Sequence, residues 1–146
     1  MDGPNIQPVV RLADLTLTEQ SHGTRFAAGM AQLAAAAGAR KLGARLTEVP
    51  PGKAAWPFHC HHVNEEMFVV LAGRGTLRLG GARHPIAAGD VVVCPAGGPE
   101  TAHQIVNDGT EALRGHFTVV TTDLTIHKSM PVPPDLRTAL AGYARA

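Results

Sequence analysis

The chain has 146 residues, enough for one hydrophobic core and short for two ordinary domains. Hydrophobic residues make up 45% and charged residues 17%, a balance that excludes a largely disordered chain. The net charge is +1 with no basic run or stripe, which argues against a nucleic-acid partner or an anionic membrane, and no apolar run approaches the roughly 18 residues of a membrane span.

Residues 1–24 read as an extended arm and a loop, with a short apolar patch from Val9 to Leu12. Residues 26–39 are rich in alanine and interrupted by Gly29 and Gly38, so they read either as a helix or as a strand of small residues. From Lys41 the texture alternates, with Leu42, Ala44 and Leu46 on one face, as in a half-buried strand. Pro50, Pro51 and Gly52 end it. Further strands are expected at FHCHH, EMFVVLAG, TLRLG, RHPI, DVVVC, HQIVN and ALRGHFTVVTT, parted by turns at Gly73–Gly75, Gly80–Gly81, Gly89, Pro95 and Asn107–Gly109. Short strands at near-regular intervals argue for an all-β sandwich or barrel rather than βαβ units. In the tail, Asp135 is a plausible helix N-cap, and Leu136, Leu140 and Tyr143 follow at helical spacing.

Histidine is the compositional oddity: of eight, four (His59, His61, His62 and His103) fall in two short segments. On a strand, His59 and His61 point to one face and Cys60 and His62 to the other. Two imidazoles on one face can share a metal ion. Glu66 opens EMFVVLAG on the face of Phe68 and Val70, where a carboxylate is costly unless paired or bound to a cation. His103 opens HQIVN, so a third imidazole can arrive from a distant strand.

GKAAWPFHCHHVNEEMFVVLAG closely resembles the first motif of the cupin family, with His59, His61, Glu66 and Gly73 at the motif positions. Six residues separate Gly52 from His59, one more than the usual interval. GDVVVCPAGGPETAHQIVN resembles the second motif, with Gly89, Pro95, Gly97, His103 and Asn107. Five residues separate Gly97 from His103, which lengthens a turn and leaves the His-x-x-x-Asn ending intact. The resemblance implies an all-β double-stranded β-helix, a jelly-roll barrel over 41–125, between an N-terminal arm and packing segment over 1–40 and a tail with a short helix over 126–146. It also implies one divalent metal ion (iron, manganese, nickel, zinc or copper) on His59, His61, Glu66 and His103, and a protein that is often a homodimer. An arm over 1–24 pairing with the barrel edge of a second copy is one way to build such a dimer.

His62 is the rival of His61 and Glu65 of Glu66; strand parity favours His61, and the interval to Gly73 favours Glu66. His116 is the candidate proton shuttle, in the last long strand. Cys60 and Cys94 read as buried thiols; two cysteines make no disulfide framework, and with no signal-peptide pattern at MDGPNIQPVV the expected location is the cytoplasm. His22, His84 and His127 read as loop or surface residues. Among Arg45, Arg74, Arg78 and Arg114, most are expected in solvent, with one or two at the barrel mouth to hold a substrate anion.

Three imidazoles and a carboxylate leave open positions on an octahedral ion, which suits Lewis-acid chemistry or dioxygen binding. The expected function is a metal-dependent enzyme acting on a small molecule. Apolar Phe68 and Val70 beside the site favour dioxygenase- or oxidase-like chemistry. The alternatives are an isomerase or epimerase of a sugar or sugar phosphate, and a binding or sensing module without turnover.

Overall fold

The computed structural model describes the backbone of residues 7–39, 42–120, 122–123 and 128–129, and side chains as far as residue 115. The helix expected from Asp135 and the loop residue His127 lie outside the described residues.

Nine strands build two sheets. They are β1 (Thr18–His22), β2 (Phe26–Gln32), β3 (Gly43–Val49), β4 (Glu65–Ala72), β5 (Arg74–Leu79), β6 (Ala82–Ala87), β7 (Val91–Cys94), β8 (His103–Val106) and β9 (Leu113–Val120). One sheet has the order β1-β2-β3-β9-β4-β7 and the other β6-β5-β8, with every named pair antiparallel. Strand β9 sits between β3 and β4, far from both in sequence, and this crossing converts a series of hairpins into a jelly roll.

Side-chain alternation decides which faces meet. β4 buries Glu66, Phe68 and Val70 and turns Met67 and Leu71 outward; β7 buries Val92 and Cys94 and exposes Val91 and Val93. The inner residues Val49, Phe68, Val70, Val92 and Leu113 of the large sheet pack against Leu77 and Ile86 of the small one. Each such side chain contributes about 1.5–3 kcal/mol by leaving water. The space left among Thr47, Val49, Phe68 and Leu113 is a cavity of about 20 Å³, room for a water molecule and too small for a substrate.

The alanine-rich stretch resolves into both of its readings. Phe26–Gln32 is strand β2, and only Leu33–Ala36 forms a helix, α1. A close approach explains the strand: a Cβ on Gly29 would stand 2.9 Å from Glu19 Oε1 and 3.2 Å from Leu17 Cβ, so a residue without a side chain lets the arm lie against β2. The arm, expected against a second copy, pairs as β1 with β2 of its own chain. Strand β3, expected to be half-buried, is covered on both faces: Thr47 and Val49 face the core, and Ala44 and Leu46 are buried on the other side, where α1 packs.

Two turns carry the motif residues. Gly73 joins β4 to β5 at φ 80°, and a Cβ there would meet the Ala112 carbonyl oxygen at 2.5 Å, so glycine is required twice over. Asn107 follows β8 fully buried. Its Nδ2 donates to the carbonyls of Val49 (2.7 Å) and Glu111 (2.9 Å), and its Oδ1 accepts from the Gly109 amide (3.0 Å). One side chain thereby ties the end of β3 to the β8–β9 turn.

Candidate metal centre

FHCHH is not a regular strand. Its only ladder contact is a bridge in which His59 and His103 exchange both backbone hydrogen bonds, at 3.1 and 2.7 Å. A second bridge, Ala54 to Val106, lies at the other end of β8. Between them residues 55–58 bulge away, because Pro57 has no amide to donate and the run is too long for the rungs it faces. Gln104 fills the gap: its Nε2 donates to the Trp56 carbonyl at 2.7 Å, and its Oε1 accepts from Arg78 Nη1 at 2.6 Å. Gln104 therefore serves the loop and not the site, as its parity next to His103 predicts.

The bridge brings three imidazoles and Glu66 together. Taking one donor atom from each of His59, His61, Glu66 and His103, all four lie within 4.8 Å of one another. Glu66 Oε2 stands 2.8 Å from His103 Nε2, 3.3 Å from His61 Nε2 and 4.0 Å from His59 Nε2. The two rim nitrogens, His59 Nε2 and His61 Nε2, are 3.1 Å apart. Cys60, His62 and Glu65 are not in the cluster, and His62 and Glu65 are exposed.

The imidazoles are oriented from behind. His59 Nδ1 lies 2.9 Å from the Pro57 carbonyl and His103 Nδ1 lies 3.1 Å from the Thr101 carbonyl. A carbonyl only accepts, so each Nδ1 carries the proton and, in the neutral ring, each Nε2 offers a lone pair to the centre. The lengthened turn of the second motif supplies one of these carbonyls: its extra residues coil into the short 3-10 helix Pro99–Thr101. The same loop reaches His61, whose carbonyl accepts from the Gly97 amide at 2.8 Å.

Electrostatics follow from depth. His103 is 1% exposed, whereas the His59 side chain is 30% exposed, so the cluster is closed at its base and open beside His59. Burial pushes the Glu66 carboxyl up, but hydrogen bonds from His103 and His61 outweigh it and hold the pKa at about 2. Burial likewise opposes a charge on His103, but its bonds to Cys94 and Glu66 prevail and push it up to about 9. His59 is lowered, chiefly by burial. Cys94 and Glu66 together favour positive charge at His103, and the converging donors suit a cation.

Cys94 read as a plain buried thiol. It is buried, and it also touches His103 and pairs with Glu66 across the β4–β7 ladder. Its parity with Val92 in DVVVC, matched to that of Glu66 and Phe68, is the signal that places it in the wall. The candidate proton shuttle lies on β9. His116 stands opposite Leu46 and Val69 in the backbone register, and its side chain is outside the described residues. Phe68, an apolar neighbour of the site, is 5% exposed and meets the His103 ring edge-on at 6.0 Å, so it fills the barrel as the floor of the cluster.

Residues 45–120 match the family model of the cupin domain. The chain is a cupin. Its barrel is similar to that of a proposed sugar phosphate isomerase from Acidithiobacillus ferrooxidans, at 34% identity and a TM-score of 0.67 over 74% of this chain and 69% of that one. It is also similar to a predicted oxalate decarboxylase from Thermotoga maritima, at 28% identity and a TM-score of 0.67 over 77% of this chain and 98% of that one. An uncharacterised protein of Methanocaldococcus jannaschii is 34% identical over 56 residues, 38% of this cupin and 42% of that protein, so the match spans less than half of either chain. No helix among the described residues is long and apolar enough to cross a membrane.

Proposed function

We propose that this cupin holds one divalent metal ion on His59, His61, Glu66 and His103 and is an enzyme of the isomerase type acting on a small, oxygen-rich molecule such as a sugar phosphate. The observation that carries the metal is the convergence of three imidazole nitrogens and one carboxylate oxygen, with two of the imidazoles oriented by backbone carbonyls. When bound, the ion supplies Lewis acidity toward a substrate oxygen. The remaining roles belong to the chain. Glu66 and His103 anchor the base of the site and shut out water from below, while His59 and His61 form the rim that a ligand passes.

The isomerase reading takes precedence over dioxygenase- or oxidase-like chemistry for a physical reason. The oxidase reading depends on an apolar substrate wall, and Phe68 and Val70 are instead packed into the core at 5% and 4% exposure. The 34% identity to a proposed sugar phosphate isomerase supports the same choice.

Elemental mass spectrometry on natively purified protein should find close to one metal ion per chain. Metal-loaded protein mixed with a panel of aldose and ketose phosphates should interconvert a pair of them, followed by proton NMR, without oxygen uptake at an electrode. Oxygen uptake without interconversion would favour the oxidase reading; ligand binding with no turnover would favour a sensing module.

A homodimer is supported by the exposed outer row Met67, Leu71, Val91 and Val93 on β4 and β7, which a second copy can cover, and light scattering reads it directly. The unpaired thiols of Cys60 and Cys94 suit the cytoplasm.

A further inference from the structure

Arg45 stands in β3 on the face of Thr47 and Val49, the face that meets the core, and its side chain is half-buried. Its guanidinium lies 5.5 Å from the centroid of the Trp56 ring, and Nη1 is 3.5 Å from Met30 Sδ. Neither partner carries a formal charge. Among the described residues no carboxylate pairs with Arg45, whereas Arg114 is bound to Glu48, and Arg78 is engaged by Gln104 and the Phe58 ring.

An arginine cannot shed its proton. Partial burial has cost this guanidinium some of its water, and a thioether and an indole return less than a carboxylate or phosphate would. Among the described residues the group therefore has no counter-charge.

Its position relates it to the cluster. Arg45 pairs with position 117, which pairs with Phe68, two residues from Glu66 on the same face. Two strand spacings and one side-chain repeat put the Cα atoms of Arg45 and Glu66 about 12 Å apart. Trp56, the other side of the contact, belongs to the loop that ends at His59 and is held by Gln104. One loop thus connects the guanidinium to the open side of the cluster.

From this juxtaposition we infer that Arg45, backed by Trp56, is a specificity-determining residue that receives the anionic end, phosphate or carboxylate, of a substrate whose other end binds through oxygen at the metal centre. The inference rests on the metal reading above. A guanidinium on one side and a cation on the other select an extended molecule with an oxygen-donor head and a charged tail, and reject its neutral analogue.

Calorimetry on metal-loaded protein tests this with three probes that share a hydroxy-acid head: 3-phosphoglycerate, malate and glycerate. The first has a phosphate tail, the second a carboxylate and the third none. Wild type should prefer at least one charged tail over glycerate by about tenfold or more, and which one identifies the tail. Arg45→Met keeps an apolar stem against Trp56 and should bring all three within about twofold while leaving glycerate unchanged. Arg45→Lys should recover part of the preference. An unaltered preference in Arg45→Met, or none in wild type, overturns the assignment. Line broadening of inorganic phosphate by metal-free protein, read by phosphorus NMR, separates the two readings. Broadening that disappears in Arg45→Met supports the anion site even in a protein that takes up no metal, while absent metal by mass spectrometry counts against the metal centre alone.

Discussion

The deep and the rim halves of the cluster are built differently. Glu66 and His103 lie on strands β4 and β8, each paired along a regular ladder, and both are nearly or fully buried. His59 and His61 lie in a segment held by a bridge, a few backbone bonds from other loops, one glutamine side chain and the arginines over Trp56 and Phe58. The lesson is a division of labour. The sheet fixes where the centre is, and the loop decides how it is completed and what can approach it.

The base of the cluster should respond most strongly to substitution. His103→Ala should abolish metal retention and also destabilise the metal-free fold by about 3 kcal/mol, because it leaves the Glu66 carboxylate buried beside an empty space. Denaturant unfolding with and without chelator checks both parts. At the rim the two effects should separate. His61→Ala should weaken metal binding by about 100-fold with little change in metal-free stability, and His62→Ala should change neither. Loss of metal from His62→Ala with retention by His61→Ala would mean that the rim is misassigned.

A smaller effect probes the latch. Gln104→Ala should lower metal affinity about tenfold by loosening the loop that ends at His59, although Gln104 is not among the clustered donors. An unchanged affinity would show that the His59–His103 bridge holds the rim alone.

The smallest effect is in pH. His103 is raised to about 9 in the fold, so its contribution to metal-free stability is complete below its unfolded value near 6.5 and is lost as pH rises through about 9. Glu66 is depressed to about 2, so its contribution is complete above about 4.5 and is lost only as pH falls through about 2. Metal-free protein should therefore melt at progressively lower temperature from pH 6.5 to 9, by a few degrees. Protein saturated with metal should lack that slope, because the ion displaces the proton from His103.

The strands β3 to β9 are legible because short runs, some alternating as in β4 and others simply apolar as in β7, stand between glycine, proline or asparagine turns. The four clustered residues were legible through parity and motif spacing. The arrangement of FHCHH was not: periodicity suggests a strand, but Pro57 and the bulge at 55–58 leave a bridge where a ladder was expected. Leu33–Ala36 and β2 were not separable in a run of alanine, since propensity says little when contacts with Leu17 and Glu19 decide. For His116 the sequence offers its strand alone, and the structure adds its backbone partners Leu46 and Val69.

The bulge at 55–58 makes the barrel interchangeable at one place. It is pinned at Ala54 and at His59, and the missing rung between them is spanned by a side chain, so its content can change while the flanking pairs stay in step. Grafting a loop of different composition between those pins should retune which molecules the protein accepts without asking the barrel to refold. For an engineer seeking new specificity, this short stretch is the part to randomise first.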